Sequence, residues 1–280
     1  RDTIMQATAE AVDRWHDAAA DSMVRIAIAP CSPFSVTREL MVEAAEFARS
    51  RGVRLHTHLA ETIEEEHYCI EQFGCRPVDY VADLGWLGDD VWLAHCIHLS
   101  DDEIRRFGAT RTGVAHCPSS NARLGAGIAP VMDLVNAGAP VGLGVDGAAS
   151  NESGELAMEI REAMLFARLR GGEAAMTARD ALERATIDGA RCLGRESDLG
   201  SIEVGKLADI ALWDISGVAH AGIADPIAAM VFAAPRSVHT LLVNGRIVVR
   251  DHELRTGDAA TIAFDLERQA RRLASKAVTA

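Results

Sequence analysis

Histidine and acidic side chains follow several apolar segments of the sequence, at the point where each segment ends. His58 and Glu61 follow one such segment, His95 ends the next, and Asp146 follows a later one. Imidazole and carboxylate groups that converge are suited to bind zinc or a similar divalent ion. One strand-end histidine alone is more often a packed core residue. The occurrence of all these residues in this order, each after an apolar run, favours a metal site.

Five short apolar runs predict the strands that position these side chains. The predicted strands are Val24–Ala29, Val53–Leu59, Val91–Ile97, Gly113–Cys117 and Pro140–Val145. Nearly continuous apolar runs suit parallel strands that are covered on both faces. Helical patterns separate them, so the sequence predicts repeated βα units, in a barrel or a doubly wound sheet. In a barrel the carboxyl ends of the strands form the active-site face, where the polar residues would meet.

The segments between the strands carry helix start and stop signals. Capping-box pairs are predicted at Thr62 with Glu65 and at Ser100 with Glu103, a first helical position at Pro130, and stops at Gly74, Gly108 and Gly138. A helix-rich stretch runs from Leu156 to about Leu193. The pattern then changes to short strands.

A small β-rich unit is predicted for the C-terminal part of the sequence. Ile202–Trp213 and Val238–Val249 are typical of short strands joined by Gly and Asn-Gly turns. We therefore place a boundary near Leu199, which divides the chain into residues 1–198 and 199–280.

Composition excludes several classes of partner. The net charge of -13 over 280 residues argues against a nucleic-acid polymer or an anionic membrane as partner, because both require clustered Lys and Arg. A free nucleobase is still compatible with this charge. The six cysteines form no CxxC pair, and no signal peptide or membrane span is evident. The sequence therefore predicts a reduced, cytoplasmic protein.

Several motifs together resemble the amidohydrolase superfamily. They are His58-Leu59-Ala60-Glu61, Ala94-His95-Cys96, Ala115–Asn121, Asp146–Asn151 and Leu199–Ile210. The sequence is most similar to the branch of guanine deaminases, adenosine-type deaminases and triazine hydrolases. This resemblance implies an α/β fold, a metal-dependent hydrolase (β/α)8 TIM-type barrel. Residues 1–198 would carry the family's strands four to eight, and residues 199–280 part of a small C-terminal β-sandwich with a terminal helix.

The resemblance also implies a role for each strand-end residue. His58 and Asp146 become ligands of one divalent metal, zinc or alternatively iron. Glu61 becomes the proton shuttle to the ring nitrogen, and His95 the group that orients or polarises the attacking water. In the implied hydrolytic deamination, Asp146 accepts a proton from water, Glu61 protonates the nitrogen next to the attacked carbon, and ammonia leaves.

The family's first strand carries an HxH pair of metal ligands, for which this sequence offers no clear equivalent. His56 and His58 would share one strand face. However, Glu61 follows them at the spacing of the family's fifth strand, and no upstream half of the sandwich is present. We expect the pair and strands one to three to lie outside this sequence, which begins with Arg1 within a helical pattern. A catalytically inactive fragment with a structural or binding role is the alternative from another functional class.

Cys31 is the candidate for substrate recognition. Many relatives carry His at this place, and Cys31 together with 73–77 and 85–86 resembles the group within this branch that deaminates 8-oxoguanine. The implied reaction converts 8-oxoguanine to urate and ammonia, with Cys31 in contact with the substrate. Deamination or dechlorination of guanine or an s-triazine is the alternative, as is Cys31 as a buried small hydrophobic residue. The expected partner is a small heterocycle, and a homo-oligomer is left open.

Overall fold

The computed structural model describes residues 2–233 and 237–277, which contain one parallel and one antiparallel sheet. The parallel sheet consists of β1 (Ala27–Ile28), β2 (Arg54–Leu59), β3 (Val91–His95), β4 (Gly113–His116) and β5 (Val141–Leu143). The strands lie in chain order, and every neighbouring pair is parallel. Since helices connect successive strands, these are consecutive βα units of a TIM-type barrel, as predicted.

Helices precede, connect and follow the strands of this sheet. They are α1 (Asp2–Trp15), α2 (Arg38–Arg51), α3 (Ile63–Phe73), α4 (Pro77–Asp83), α5 (Asp101–Thr110), α6 (Pro118–Arg123), α7 (Val131–Ala137), α8 (Leu156–Gly171), α9 (Ala178–Ala185) and α10 (Ile187–Cys192). The core lies between them and the strands, and Trp86 is fully buried there with its indole N–H donating to the carbonyl of Met41 at 2.9 Å.

The strand β2 shows how the site residues reach their face. Leu55, Thr57 and Leu59 are fully buried in the core, whereas His56 and His58 project from the opposite face and are only half-buried. The face of β2 that carries the histidines is thus less deeply buried than the core face. Because side chains alternate along a strand, the buried residues fix which face the histidines occupy.

Two helix boundaries differ from the sequence prediction. Gly108 does not end α5, which continues to Thr110 and ends at Arg111 in the left-handed conformation. A Cβ at Gly108 would collide with the carbonyl of Ala137, so this glycine permits close packing of α5 against α7. Pro130 is the N-cap of α7 rather than its first helical residue. The cap at Gly138, with φ 97°, is confirmed.

The antiparallel sheet follows the last barrel helices. It consists of β6 (Ile210–Trp213), β7 (Val238–Val243), β8 (Arg246–Arg250) and β9 (Glu253–Leu254), in that order. The predicted turn between β7 and β8 is confirmed: Asn244 and Gly245 both have positive φ, 48° and 72°, as a type I′ turn requires. The strand predicted from Ile202 begins only at Ile210.

Two further α-helices and a short 3₁₀ helix, Val218–His220, accompany this sheet. The helix α11 (Pro226–Ala233) packs against α9 and buries Val231 in the core of the barrel portion, and α12 (Ala259–Ala277) closes the described chain. The division near Leu199 stays a prediction. No helix among the described residues combines the length and the apolar character needed to cross a bilayer.

Candidate active site

The four predicted site residues lie together at the carboxyl ends of the parallel strands. His95 Nε2 is 3.7 Å from Glu61 Oε2 and 3.9 Å from Asp146 Oδ2. The rings of His58 and His95 stack with their centroids 5.4 Å apart. The convergence inferred from the strand ends is therefore present in the structure, while the role of each residue stays a prediction.

The backbone at these strand ends adopts the left-handed conformation. Ala60, His95, Cys96 and Asp146 have φ of 50°, 69°, 50° and 63°. This conformation costs a residue with a side chain roughly 1–2 kcal/mol, and such strain is concentrated at functional sites. The strain is compensated here by hydrogen bonds such as Cys96 N–H to the carbonyl of Leu59 at 3.0 Å. These left-handed residues turn the chain out of the strands at the positions where the site side chains lie.

The protonation of His58 is set by the backbone of Cys31. The carbonyl oxygen of Cys31 lies 2.6 Å from His58 Nδ1 and also accepts hydrogen bonds from the His58 N–H and the Thr57 hydroxyl. A carbonyl oxygen can only accept, so the proton of the neutral ring is on Nδ1. The lone pair on His58 Nε2 is therefore free for a metal ion.

Asn121 sets the protonation of His95 in the same way. Its Oδ1 lies 2.8 Å from His95 Nδ1, and both residues are buried. Because an amide oxygen only accepts, Nδ1 carries the proton, and the lone pair on Nε2 points towards Glu61 and Asp146. The Nδ2 of Asn121 is buried without a partner among the described residues.

Asp146 is held as an ionised carboxylate. Its Oδ2 lies 2.5 Å from the hydroxyl of Ser120 and 3.0 Å from that of Ser150, and its Oδ1 accepts from Gly147 N–H at 2.7 Å. Burial acts to raise the pKa of Asp146, but the hydrogen bonds from Ser120, Gly147 and Ser150 outweigh it, and the pKa lies below its usual value. The group therefore carries a negative charge near neutral pH.

The short helix α6 was missed as part of the site. It places Ser120 beside Asp146 and Asn121 beside His95. The buried carboxylate of Glu159 on α8 holds the start of α6 by accepting from Ser119 N–H at 3.0 Å. The motif Ala115–Asn121 was part of the family resemblance, but a sequence motif does not show which side chains its residues contact.

The donor set fits a divalent cation. His58, His95 and Asp146 each offer one ligand atom, and these atoms lie within 4.8 Å of one another. Two nitrogen lone pairs and a carboxylate facing each other are electrostatically unfavourable unless a cation or a proton donor lies between them. The geometry makes His95 a third candidate ligand, whereas the family resemblance implied that it orients water.

Two other histidines near the site have different surroundings. His56 stacks on Trp92 with centroids 5.0 Å apart, and its Nδ1 lies 3.1 Å from the Trp92 carbonyl. His116 is fully buried, and burial lowers its pKa to about 3, so its ring is neutral. Neither belongs to the candidate metal group found among residues 2–233 and 237–277.

Cys31 approaches the site through its backbone, while its thiol is exposed and free. The alternative in which Cys31 is a buried hydrophobic residue is therefore wrong. Contact between its thiol and a substrate stays a prediction.

The chain belongs to the amidohydrolase family, whose sequence profile matches residues 1–248. An 8-oxoguanine deaminase from Pseudomonas aeruginosa is 46% identical over 261 residues, which cover 93% of this chain and 58% of that protein. The crystal structure of an adenosine deaminase from Xanthomonas campestris with bound zinc superposes with a TM-score of 0.93 at 29% identity, covering 98% of this chain and 62% of that one.

Triazine chemistry also occurs among the structural neighbours. An atrazine chlorohydrolase from Arthrobacter aurescens TC1, complexed with zinc, superposes with a TM-score of 0.90 at 33% identity, covering 94% of this chain and 59% of that one. The chain thus spans about three fifths of the length of these relatives.

Proposed function

We propose that the protein is a metal-dependent hydrolase that removes the amino group of a purine-like ring, converting 8-oxoguanine and water to urate and ammonia. The observation that carries this proposal is the convergence of His58 Nε2, His95 Nε2 and the Asp146 carboxylate next to Glu61. Hydrolysis of an aromatic amidine requires a water that loses a proton and a ring nitrogen that gains one. The cluster contains groups for both transfers.

His58 and Asp146 would hold one divalent ion, zinc or iron, with His95 within reach of it. Such an ion, when bound, lowers the pKa of water to about 7 and so supplies a nucleophile near neutral pH. The two zinc-containing neighbours support zinc. Nitrogen and carboxylate ligands are also compatible with iron.

The residues of the chain would move the protons. His95, whose Nδ1 faces the amide oxygen of Asn121, would accept a hydrogen bond from the attacking water at Nε2 and so orient the water. Asp146, ionised and fixed by two serine hydroxyls, takes the proton from this water. Glu61, with about a fifth of its side chain exposed, delivers a proton to the ring nitrogen next to the attacked carbon. Asp146 then passes the proton it took from the water to the amino group, which leaves as ammonia. The new hydroxyl group becomes the carbonyl and returns its proton to Glu61.

Similarity to the Pseudomonas deaminase favours 8-oxoguanine, and similarity to the chlorohydrolase keeps an s-triazine as the alternative. The test is kcat/KM of the metal-loaded protein for 8-oxoguanine, guanine and an amino- and a chloro-s-triazine. Ammonia and chloride are measured separately, because deamination releases the first and dechlorination the second. We expect 8-oxoguanine to be the best substrate by at least ~10-fold, the smallest discrimination that one pocket contact gives. A preference for either triazine over both purines would remove the purine assignment.

Metal analysis separates an enzyme from an inactive fragment. A fragment with only a structural role would bind no metal at this site and release no ammonia.

The six cysteines, which all lie in the described ranges, are free thiols, and this supports placing the enzyme in the cytoplasm.

A further inference from the structure

A buried carboxylate at the start of α3 contacts the backbone of the candidate proton shuttle. Glu65 is 2% exposed, and its Oε2 accepts a hydrogen bond from the N–H of Glu61 at 2.9 Å. The N–H of Glu65 itself donates to the hydroxyl of Thr62, the N-cap of α3. This is half of the capping box that the sequence predicted, because the carboxylate does not return to the N–H of Thr62.

Two other capping boxes in the chain show the usual arrangement. At α5, Glu103 accepts from the N–H of its own cap, Ser100, at 2.6 Å. At α9, Asp180 accepts from the N–H of Thr177 at 2.8 Å. Of these three helices, only α3 has a third-position carboxylate that passes its cap and binds the preceding residue. Of the three, α3 is also the helix that begins beside the candidate active site.

The contact lies where the backbone needs fixing. Glu61 follows Ala60, whose left-handed φ of 50° turns the chain out of β2. The carbonyl of Ala60 is held by the N–H groups of Ile97 and His98, at 2.9 and 3.0 Å. The bond to Glu65 fixes the other side of this turn, and the Glu61 carboxylate then lies 3.7 Å from His95 Nε2.

Removal of a carboxylate from water is unfavourable, which makes a purely stabilising role for Glu65 a poor explanation. Burial raises the pKa of Glu65 to about 7, although the backbone N–H groups of Ala60 and Glu61 act to lower it. An apolar residue would pack here without that cost. The carboxylate instead supplies an acceptor to the main chain of the catalytic turn.

We propose that Glu65 is a positioning residue for Glu61, whose main chain it holds so that the Glu61 carboxyl reaches the ring nitrogen of the substrate. The catalytic consequence rests on the proposed deaminase function. The hydrogen bond from Glu61 N–H to the Glu65 carboxylate, and its effect on the main chain of Glu61, do not depend on that function.

The test compares Glu65→Met, which keeps the length of the side chain without an amide or carboxylate oxygen, with Glu65→Gln, which keeps an acceptor oxygen. Asp180→Met is the matched control, since Asp180 occupies the same helical position at α9, away from the site. Metal content and the temperature of unfolding are measured for each variant. If Glu65→Met does not fold, Glu65→Asp replaces it, because the shorter carboxylate withdraws the acceptor.

The first measurement is hydrogen–deuterium exchange at the Glu61 amide, followed by NMR. Glu65→Met should accelerate this exchange at least about fivefold, as expected for the loss of one ordinary hydrogen bond. Glu65→Gln and Asp180→Met should leave it near the wild-type rate. Unchanged exchange in Glu65→Met would overturn the proposal, even if the protein deaminates no ring.

The second measurement is the steady-state kinetics of 8-oxoguanine deamination. Glu65→Met should lower kcat about 10- to 100-fold with KM within about threefold, because a misplaced catalytic group affects the chemical step more than binding. Glu65→Gln should recover most of kcat. A wild-type kcat in Glu65→Met, or equal losses in Glu65→Met and Asp180→Met, would overturn the positioning role. No ammonia from the wild type would contradict the proposed function and leave the exchange result to decide on Glu65.

Discussion

The buried carboxyl group of Glu65 should make the folding stability of the protein depend on pH. Burial raises its pKa from 4.5 to about 7, and the backbone N–H groups of Ala60 and Glu61 offset this only in part. The folded state therefore binds this proton more tightly than the unfolded chain does. The resulting stabilisation is complete below about pH 4.5 and is lost as the pH rises through about 7.

The size of the effect follows from the two pKa values. One pKa unit corresponds to about 1.4 kcal/mol, so the shift from 4.5 to about 7 contributes at most about 3.5 kcal/mol. Most of this contribution, about 2.5 kcal/mol, disappears between pH 5 and pH 8. Glu65→Gln keeps the size of the side chain but does not titrate. We therefore compare the free energies of unfolding of Glu65→Gln and the wild type. The value for Glu65→Gln minus the value for the wild type should be about 2.5 kcal/mol larger at pH 8 than at pH 5.

Urea denaturation of both proteins at pH 5 and pH 8 measures this difference, and the titrations shared by the two proteins cancel. Asp180→Asn is the control. Burial acts to raise the pKa of Asp180, but hydrogen bonds from Thr177 lower it below 3.8, so its titration is complete before pH 5. The free energy of unfolding of Asp180→Asn should therefore differ from that of the wild type by the same amount at both pH values. A Glu65→Gln difference that also stays constant within about 0.5 kcal/mol would show that Glu65 is ionised throughout, which refutes the reasoning.

Substitutions at three positions test the site itself. Asn121→Ala should lower kcat about 10- to 100-fold, because His95 loses the acceptor that keeps its proton on Nδ1. Asn121→Asp, which keeps an acceptor oxygen, should retain more activity. An unchanged kcat in Asn121→Ala would contradict the assigned tautomer of His95. Asp146→Asn should weaken both metal retention after dialysis and turnover, and full metal content with full activity would exclude Asp146 as a ligand. Cys31→Ala should reduce kcat/KM for 8-oxoguanine about fivefold more than for guanine, as for one ordinary hydrogen bond, and equal losses would mean that the thiol only packs.

The sequence predicted the parts of the fold and site that depend on local pattern. Apolar runs that end in polar residues located His58, His95 and Asp146 at the strand ends, because strand alternation and the barrel geometry leave little freedom there. The Asn-Gly pair predicted the hairpin turn at 244–245, because both residues accept positive φ. Gly138 likewise ends α7 as its type suggests.

The parts that were missed depend on contacts between distant residues. Asn121 reaches His95 across 26 positions of the chain, and no local pattern shows this pairing. Gly108 has the local pattern of a helix stop, but its packing against Ala137 keeps it inside α5. Glu65 fits a capping box in sequence, yet its carboxylate binds one residue further back, because the chain turns sharply at Ala60.

Ammonia release from 8-oxoguanine, measured with metal content in the wild type and in Glu61→Gln, tests the deaminase assignment most directly. The wild type should release one ammonia for each urate formed. Glu61→Gln should keep its metal and lose at least about 100-fold in kcat, because only the proton transfer to the ring is removed. Near-normal turnover in Glu61→Gln would contradict the role of Glu61. A metal-loaded wild type that releases no ammonia from 8-oxoguanine, guanine or an amino-s-triazine would contradict the deaminase function.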